Sequence, residues 1–312
     1  MTGVLVLDKP EGFTSFDAVA VLRGLTGERK IGHTGTLDPM ATGVLPMLLG
    51  KATRALPFLA ERPKEYEASF AFGTATDTLD CTGTVQSRDD TPISRESLLA
   101  VLPRFTGEIL QTPPMYSALR HNGVRLYDLA RQGKTVERPP RRVTIYRLEL
   151  LSYRETDRTG TLRVRCSGGT YVRTLCADIG EALGSHGMMT ALRRTAAAGF
   201  TLDDAVSLTQ AKAMGRERLL QKVLPVEHLF ADLPQVTVTM PQAKRFANGG
   251  GLSLDRLHLP EGLCGNCRVR DPEGNFLGLG AEEKGKGQLC VVRLFCTQED
   301  VQNENLPRTD TL

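Results

Sequence analysis

Residues 32–46 read Gly-His-Thr-Gly-Thr-Leu-Asp-Pro-Met-Ala-Thr-Gly-Val-Leu-Pro, the densest run of turn-forming and reactive residues in the chain. Three glycines, two prolines and three threonines among fifteen residues favour a shaped loop over a helix. The loop holds one acid, Asp38, directly before Pro39. An aspartate in such a turn usually caps a neighbouring backbone group. The residues alone therefore leave two roles for Asp38 open, a turn cap and a catalytic carboxylate.

The sequence before this loop predicts one strand and one helix. Residues 4–7 are apolar and predict a short buried strand. Thr14 followed by Asp17 three residues later resembles a capping box, and apolar residues then recur at helical spacing. Gly27 is expected to end that helix.

The sequence after the loop mixes strand and helix patterns. Apolar and polar residues alternate over 66–72 and over 162–166, as they do in half-buried strands of a sheet. Helices are predicted after Ser94 and over residues 174–184. Together these patterns predict an α+β fold built on a mixed sheet.

A change in composition near residue 233 predicts a second, smaller domain. Short strand patterns separated by glycines follow it, and the sequence becomes polar and aperiodic from about residue 298. We therefore predict a larger domain at residues 1–232, a small β-rich domain at 233–298 and a polar tail at 299–312.

Length and cysteine content limit the class of protein. The 312 residues suffice for two domains of about 150 residues each. Seven cysteines, an odd number, argue against a secreted disulfide framework. No stretch approaches the roughly 20 consecutive apolar residues of a membrane span, and the first residues lack a signal-peptide pattern. We expect a cytoplasmic protein that does not enter a membrane.

Positive charge is concentrated in residues 119–147. This segment holds eight basic and two acidic residues, a net charge of +6, whereas the whole chain carries only +3. A solvated surface loop and a phosphate-contacting surface both fit that composition. Composition alone does not choose between them.

The C-terminal cysteines raise the question of a metal site. Cys264 and Cys267 have the spacing of a zinc-binding pair, but Cys290 and Cys296 are separated by five residues instead of the usual two to four. Cys290, Leu294 and Cys296, with Val292 between them, are expected on one face of an alternating strand as core residues. We therefore predict that no metal is bound.

A family resemblance decides between the two roles of Asp38. His-Thr-Gly-Thr-Leu-Asp-Pro-x-Ala-Thr-Gly-Val-Leu closely resembles the signature of the TruB family of pseudouridine synthases, and the resemblance extends over about residues 3–230. Further family-like segments follow in the expected order: Leu7-Asp8-Lys9-Pro10, Lys64-Glu65-Tyr66, Gln111-Thr112-Pro113-Pro114-Met115-Tyr116-Ser117-Ala118, Gly168-Gly169-Thr170-Tyr171-Val172-Arg173-Thr174 and Leu192-Arg193-Arg194-Thr195.

The resemblance implies an isomerase that converts uridine at position 55 in the T loop of tRNA to pseudouridine, without a cofactor. It assigns covalent catalysis to Asp38. It also implies that Arg173 keeps the Asp38 carboxyl ionised and that Tyr66 stacks on the uracil. The alternatives are a surface arginine at the start of a helix and an ordinary core tyrosine. Lys9 is expected to give structural support to residues 32–46, which we term the catalytic loop.

The same resemblance implies contacts with RNA. A uridine stacked in a folded loop must be flipped out before it can react. His33 is expected to fill the vacated space, while Tyr171 and Leu192 line the pocket. The basic segment 119–147 is expected to be a mobile lid that becomes ordered on tRNA, with Arg141 and Arg142 contacting phosphate.

The C-terminal tract resembles, more weakly, the RNA-binding PUA domain, which implies contact with the acceptor arm. The expected partner is thus tRNA, and no obligate protein partner is inferred. Two other functions stay open: a catalytically silent tRNA-binding or tRNA-folding protein on the same scaffold, and an unrelated hydrolase that uses Asp38. The set of Asp38, Tyr66 and Arg173 disfavours the first, and the absence of a partner acid or metal motif disfavours the second.

Overall fold

The structure is a computed structural model that describes residues 1–260, 263–283 and 285–296. The predicted polar tail at 299–312 lies outside the described residues. The strands are β1 Gly3–Lys9, β2 Ile31–His33, β3 Thr42–Leu49, β4 Lys64–Phe72, β5 Thr74–Thr76, β6 Val85–Arg88, β7 Gly107–Gln111, β8 Arg120–His121, β9 Val124–Arg125, β10 Arg141–Arg154, β11 Thr159–Cys166, β12 Gly187–Ala197, β13 Phe200–Thr201, β14 Val206–Ser207, β15 Gln235–Thr237, β16 Leu252–Ser253, β17 Asn266–Arg270, β18 Phe276–Glu283 and β19 Gln288–Leu294. The α-helices are α1 Ser15–Thr26, α2 Arg95–Val101, α3 Leu126–Arg131, α4 Val172–Ala182, α5 Leu208–Gln221 and α6 Met240–Ala247, and short 3₁₀ helices span Gly50–Phe58, Leu102–Phe105, Leu202–Asp204, Val226–Phe230 and Leu254–Arg256.

A ten-stranded mixed sheet forms the centre of the larger unit. Its strand order is β14-β1-β3-β12-β4-β11-β10-β7, with β2 paired to β3 and β13 paired to β12. Most neighbours are antiparallel, but β1 is parallel to β14 and β12 is parallel to β3. The predicted α+β fold with a mixed sheet is confirmed.

Helix α1 forms where its capping residues predicted it. The Thr14 side chain accepts the Asp17 N–H, and the Asp17 carboxylate accepts the Thr14 N–H in return. Gly27 ends the helix with φ at 72°, a left-handed conformation that glycine adopts without strain. The buried face of the helix, which includes Ala18 and Leu22, packs into the main core. This packing fixes the segment that contacts the catalytic loop.

Helix α4 begins at Val172, two residues before the predicted start. Its N-cap, Tyr171, offers no side-chain cap. Instead, the Tyr171 N–H donates to Gln111 Oε1 at 2.8 Å, and Gln111 Nε2 donates to the Tyr171 carbonyl at 3.0 Å. The cap comes from a residue 60 positions away, so no local pattern marks this start. It places Arg173 inside the first turn.

The second sheet is five-stranded, with the order β15-β17-β18-β19-β16. Its β-rich character is confirmed, but the tract also contains helix α6, which we did not predict. Thr239 and Gln242 form a capping box at its start, and Phe246 is fully buried against the sheet. The predicted boundary at 232/233 lies between the last strand of the first sheet and the first strand of the second, and stays a prediction of domain organisation.

The predicted alternation in β19 is wrong. A register shift between the Leu279–Arg293 and Gly280–Val291 pairs interrupts the ladder at Val292. As a result Val292 packs on a different apolar cluster from Leu294 and Cys296. A bulge of this kind reverses which side chains face the core, and alternation in the sequence does not reveal it.

An apolar cluster joins the two sheets, and an ion cluster joins the second sheet to the 3₁₀ helix Val226–Phe230. Val6 and Leu48 of the first sheet pack in one cluster with Leu279 of the second. Next to it, Glu227 pairs with Arg268 at 3.0 Å and with Arg270. None of the helices in the described part of the chain combines the length and apolar character needed to cross a membrane.

Candidate active site

The catalytic loop joins β2 to β3 and is held from the side of β1 and α1. Ser15 Oγ accepts the Leu37 N–H at 2.9 Å and donates to the Leu37 carbonyl at 3.3 Å. The Gly12 N–H donates to the Pro39 carbonyl at 2.8 Å. The residues on both sides of Asp38 are therefore fixed by hydrogen bonds, which orients its carboxylate before any substrate arrives.

Asp38 and Arg173 form an ion pair between the catalytic loop and the first turn of α4. Arg173 Nε lies 3.0 Å from Asp38 Oδ2, and the arginine side chain is 7% exposed while the aspartate side chain is 38% exposed. The guanidinium is held further by the carbonyls of Thr78 and Tyr116, each at 2.9 Å. Arg173 is thus a fixed buried cation, and not a surface residue, beside an accessible carboxylate.

Some neighbouring groups raise the pKa of the Asp38 carboxyl and others lower it. Burial raises its pKa above the ordinary value, whereas the Arg173 guanidinium opposes that shift. The Lys9 ammonium also lowers the pKa, and the Asp80 carboxylate raises it. The carboxylate form required of a nucleophile therefore depends on the neighbouring cations.

Asp80 is a site residue that sequence reasoning missed. Its Oδ2 lies 3.5 Å from Arg173 Nη1, and its side chain is only 6% exposed. The same carboxylate accepts hydrogen bonds from Thr78 and from the backbone and hydroxyl of Thr82. In the sequence it looks like a turn aspartate in a threonine-rich segment. In the structure it shares Arg173 with Asp38.

Tyr66 lies in β4 with its side chain on the buried face of the sheet. It is 7% exposed. Val164 of β11 and Arg194 of β12 are its cross-strand neighbours. Burial raises the pKa of its phenol, and the charge of Arg194 opposes that shift while the charge of Asp38 adds to it. The phenol therefore belongs to the same electrostatic environment as the catalytic loop.

The predicted pocket residues approach the site from three elements. His33 ends β2, and its buried Nδ1 has no hydrogen-bond partner among the described residues. Tyr171 is half-buried at the start of α4. Burial raises the pKa of its phenol, the charge of Arg173 lowers it, and the charge of Asp38 raises it. Leu192 of β12 lies opposite Ala68 of β4 and is 9% exposed. Their contacts with substrate stay predictions.

The structure corrects the description of the basic segment 119–147 as one lid. It contains a hairpin of β8 and β9, then α3, and from Arg141 onward it is strand β10 of the main sheet. Arg141 pairs in register with Gln111, the residue that holds Tyr171, and therefore lies at the active-site end of β10. Arg142 is exposed and forms an ion pair with Glu108. The two arginines are anchored in a strand of the main sheet, and the movement of residues 119–140 as a lid stays a prediction.

Lys9 is fully buried beneath the catalytic loop. Its Nζ donates to the carbonyls of Pro10 at 2.8 Å, Phe13 at 2.6 Å and Pro39 at 3.3 Å. This arrangement agrees with the expected structural role. Burial lowers the pKa of Lys9 to about 8, although the Asp38 carboxylate opposes the shift.

The shifted pKa of Lys9 predicts a pH dependence of stability. Between pH 8 and 10.5 the unfolded chain holds a proton on Lys9 that the folded protein has lost, so folding becomes more favourable as pH rises. The unfolding free energy of the wild type, minus that of Lys9→Met, should increase by about 3 kcal/mol across this window. Urea unfolding of both proteins at several pH values measures it. Parallel stability curves would contradict the prediction.

The cysteines do not form a metal site in the described part of the chain. No group of three or more His, Cys, Asp or Glu side chains is arranged there to hold an ion. Cys267 is fully buried within the second sheet, whereas Cys264 is exposed. Cys290 contacts Glu283 through its thiol at 3.1 Å.

Sequence comparisons identify relatives over most of the chain. Residues 23–172 match the TruB family pseudouridylate synthase N-terminal domain, and residues 173–231 match the tRNA pseudouridylate synthase B C-terminal domain. The chain is 46% identical to tRNA pseudouridine synthase B of Dechloromonas aromatica (strain RCB) over 287 residues, 92% of this chain and 93% of that protein. It is 48% identical to the protein of the same name from Geobacillus thermodenitrificans (strain NG80-2) over 262 residues, 81% and 86% of the two chains.

Structural comparisons extend the similarity to the whole fold. The crystal structure of a Cbf5–Nop10–Gar1 complex contains a chain that aligns with a TM-score of 0.74 and 27% identity, covering 96% of this chain and 86% of that one. An H/ACA RNP bound to a substrate RNA containing 2′-deoxyuridine aligns with a TM-score of 0.71 and 25% identity, covering 95% and 86%.

Proposed function

The chain belongs to the TruB family of pseudouridylate synthases and isomerises uridine in tRNA, and we propose that it acts on position 55 of the T loop with Asp38 as the catalytic carboxylate. The observation that carries the proposed site is the 3.0 Å contact between a buried Arg173 and a half-exposed Asp38. A catalytically silent protein would have no need to hold that pair.

The reaction breaks the bond from N1 of uracil to C1′ of the ribose and joins C1′ to C5. N1 gains a proton and C5 loses one, so the product is an isomer of the substrate and no redox cofactor is required. Asp38 serves as the nucleophile of covalent catalysis, and the bond that its carboxylate forms is broken again before the product leaves, so that the free carboxylate is restored. Its ion pair with Arg173 keeps it charged. Tyr66 stacks on the uracil and assists removal of the C5 proton. The enzyme acts in the cytoplasm and requires no obligate protein partner.

Base flipping supplies the access that this chemistry needs. The unstacking cost is a few kcal/mol and must be offset by binding contacts. His33 fills the space left in the RNA, and Tyr171 and Leu192 line the pocket that receives the base. The unit built on the second sheet contacts the acceptor arm, and its helix α6 presents the exposed side chains of Lys244 and Arg245 for phosphate contacts.

The proposed function is tested with an unmodified tRNA transcript. Incubation with the protein, followed by mapping of pseudouridine, should give modification at position 55. The matched control is a transcript that carries cytidine at that position, which should give no product. Modification at another uridine, with position 55 untouched, would overturn the assignment of the T loop.

Neutralising the arginines at the start of β10 should weaken tRNA binding. Arg141→Ala with Arg142→Ala is expected to lower the slope of log affinity against log salt by about one unit per lost phosphate contact. Since Arg142 already pairs with Glu108, most of the effect should come from Arg141. The measurement is tRNA affinity across a salt series.

The control for this prediction lies on the same strand. Arg154→Ala removes one exposed arginine that pairs with Asp157 at 2.8 Å, at the opposite end of β10. Its salt slope should equal that of the wild type. An unchanged slope in the double variant would show that residues 141 and 142 form an ordinary solvated surface.

A further inference from the structure

Arg194 is a buried cation to which the proposed mechanism assigns no role. Its side chain has no exposed area, and it is the largest fully buried side chain in the described residues. No carboxylate forms an ion pair with it there, and a side-chain hydrogen bond from Arg194 lowers the pKa of the Tyr66 phenol. Burying a charge without a counterion is costly, so its position calls for a compensating role.

The Arg194 guanidinium donates hydrogen bonds to backbone carbonyls near both ends of the catalytic loop. Arg194 Nε donates to the Val44 carbonyl at 2.7 Å, and Nη2 donates to the Gly35 carbonyl at 3.2 Å. Asp38 lies between these two anchor points in the sequence. The backbone contributes as well, because Arg194 pairs in register with Gly43.

Gly43 shows how closely the loop approaches β12. A Cβ atom at Gly43 would lie 2.2 Å from the Arg194 carbonyl oxygen, and the glycine has φ at 103°. Only glycine therefore fits at this point. The loop is held by Arg194 through its backbone at Gly43 and through its side chain at Val44 and Gly35.

The other side of the same arginine faces Tyr66. Arg194 and Tyr66 are directly paired in the register of β12 and β4, so their side chains project from the same face of the sheet. The neighbouring pair of Glu67 and Arg163, at 3.1 Å, lies on the opposite face. Arg194 thus connects the loop that carries the nucleophile with the tyrosine expected to stack on the base.

We propose that Arg194 is a positioning residue of the isomerisation, which holds the catalytic loop against β12 so that Asp38 and Tyr66 keep a fixed relation. The inference rests on the proposed function, in which these two residues act on the flipped uridine. A displacement of about 1 Å in such an arrangement costs on the order of 10²-fold in rate. Arg194 acts through the loop and touches no substrate.

The test is Arg194→Lys, which keeps the charge but cannot place nitrogens at both the Nε and Nη2 positions. We expect the single-turnover rate at saturating tRNA to fall by about 10²-fold, with tRNA affinity unchanged. The matched control, Arg163→Lys, alters an arginine on the opposite face and should keep the wild-type rate. A folded Arg194→Lys protein with the wild-type rate, or one whose affinity falls in parallel with its rate, would overturn the proposal.

Two further measurements keep the test independent of folding and of the proposed function. In the wild type, the Nε–H of Arg194 should exchange slowly with solvent in NMR experiments, and rapid exchange would overturn the proposal without any substitution. Wild-type protein that forms no pseudouridine at position 55 would instead contradict the proposed function. An active wild type with an equally active Arg194→Lys variant contradicts only the role of Arg194.

Discussion

Asp38→Asn is expected to lower the single-turnover rate of pseudouridine formation by about 10⁴-fold or more, while tRNA affinity stays near that of the wild type. The amide has almost the same shape as the carboxylate, but it is a far weaker nucleophile. Its carbonyl oxygen can still accept from Arg173 Nε, which lies 3.0 Å from the native carboxylate. The substitution therefore removes the reacting group and leaves the surrounding contacts in place.

The control for this prediction is an aspartate in another ion pair. Asp232→Asn breaks the pair with Arg62 at 2.8 Å, on the surface of the molecule. It should leave both rate and affinity unchanged. Turnover near the wild-type level in Asp38→Asn would return Asp38 to its simpler role as a turn cap.

Local patterns in the sequence predicted the elements whose determinants are local. The capping box of Thr14 and Asp17 gave the start of α1, and alternation over 66–72 gave strand β4 with Tyr66 on its buried face. The catalytic loop was identified by its glycines and prolines and by the family resemblance. In each case the deciding residues lie within a few positions of one another.

Features that depend on distant residues were missed or misplaced. The start of α4 is capped by Gln111, which is 60 positions from Tyr171. Asp80 belongs to the site only because the Arg173 side chain contacts it. Arg194 belongs to it because β12 lies parallel to β3, which places Arg194 beside Gly43. A sequence pattern records spacing along one element, whereas these contacts depend on which strands become neighbours.

Arg173→Ala is expected to lower turnover at neutral pH by up to about 10³-fold, because removing an adjacent opposite charge raises a carboxyl pKa by roughly 1 to 3 units and each unit lowers the ionised fraction by at most about tenfold. Burial already raises the pKa of Asp38, and Arg173 is the largest opposing influence. Without the guanidinium, a smaller fraction of Asp38 is ionised at neutral pH. Since ionisation increases with pH, the acid limb of the pH–rate profile should move to higher pH.

Arg173→Lys and Asp80→Asn separate charge from geometry in this prediction. The lysine keeps a positive charge but cannot reproduce the contacts of one guanidinium with Asp38, Asp80 and two carbonyls, so it should restore only part of the rate. Asp80→Asn removes a charge that raises the pKa of Asp38, so its acid limb should move to lower pH. Single-turnover rates across pH measure both shifts. If the limbs of Arg173→Ala and Asp80→Asn moved in the same direction, the electrostatic account of Asp38 would be wrong.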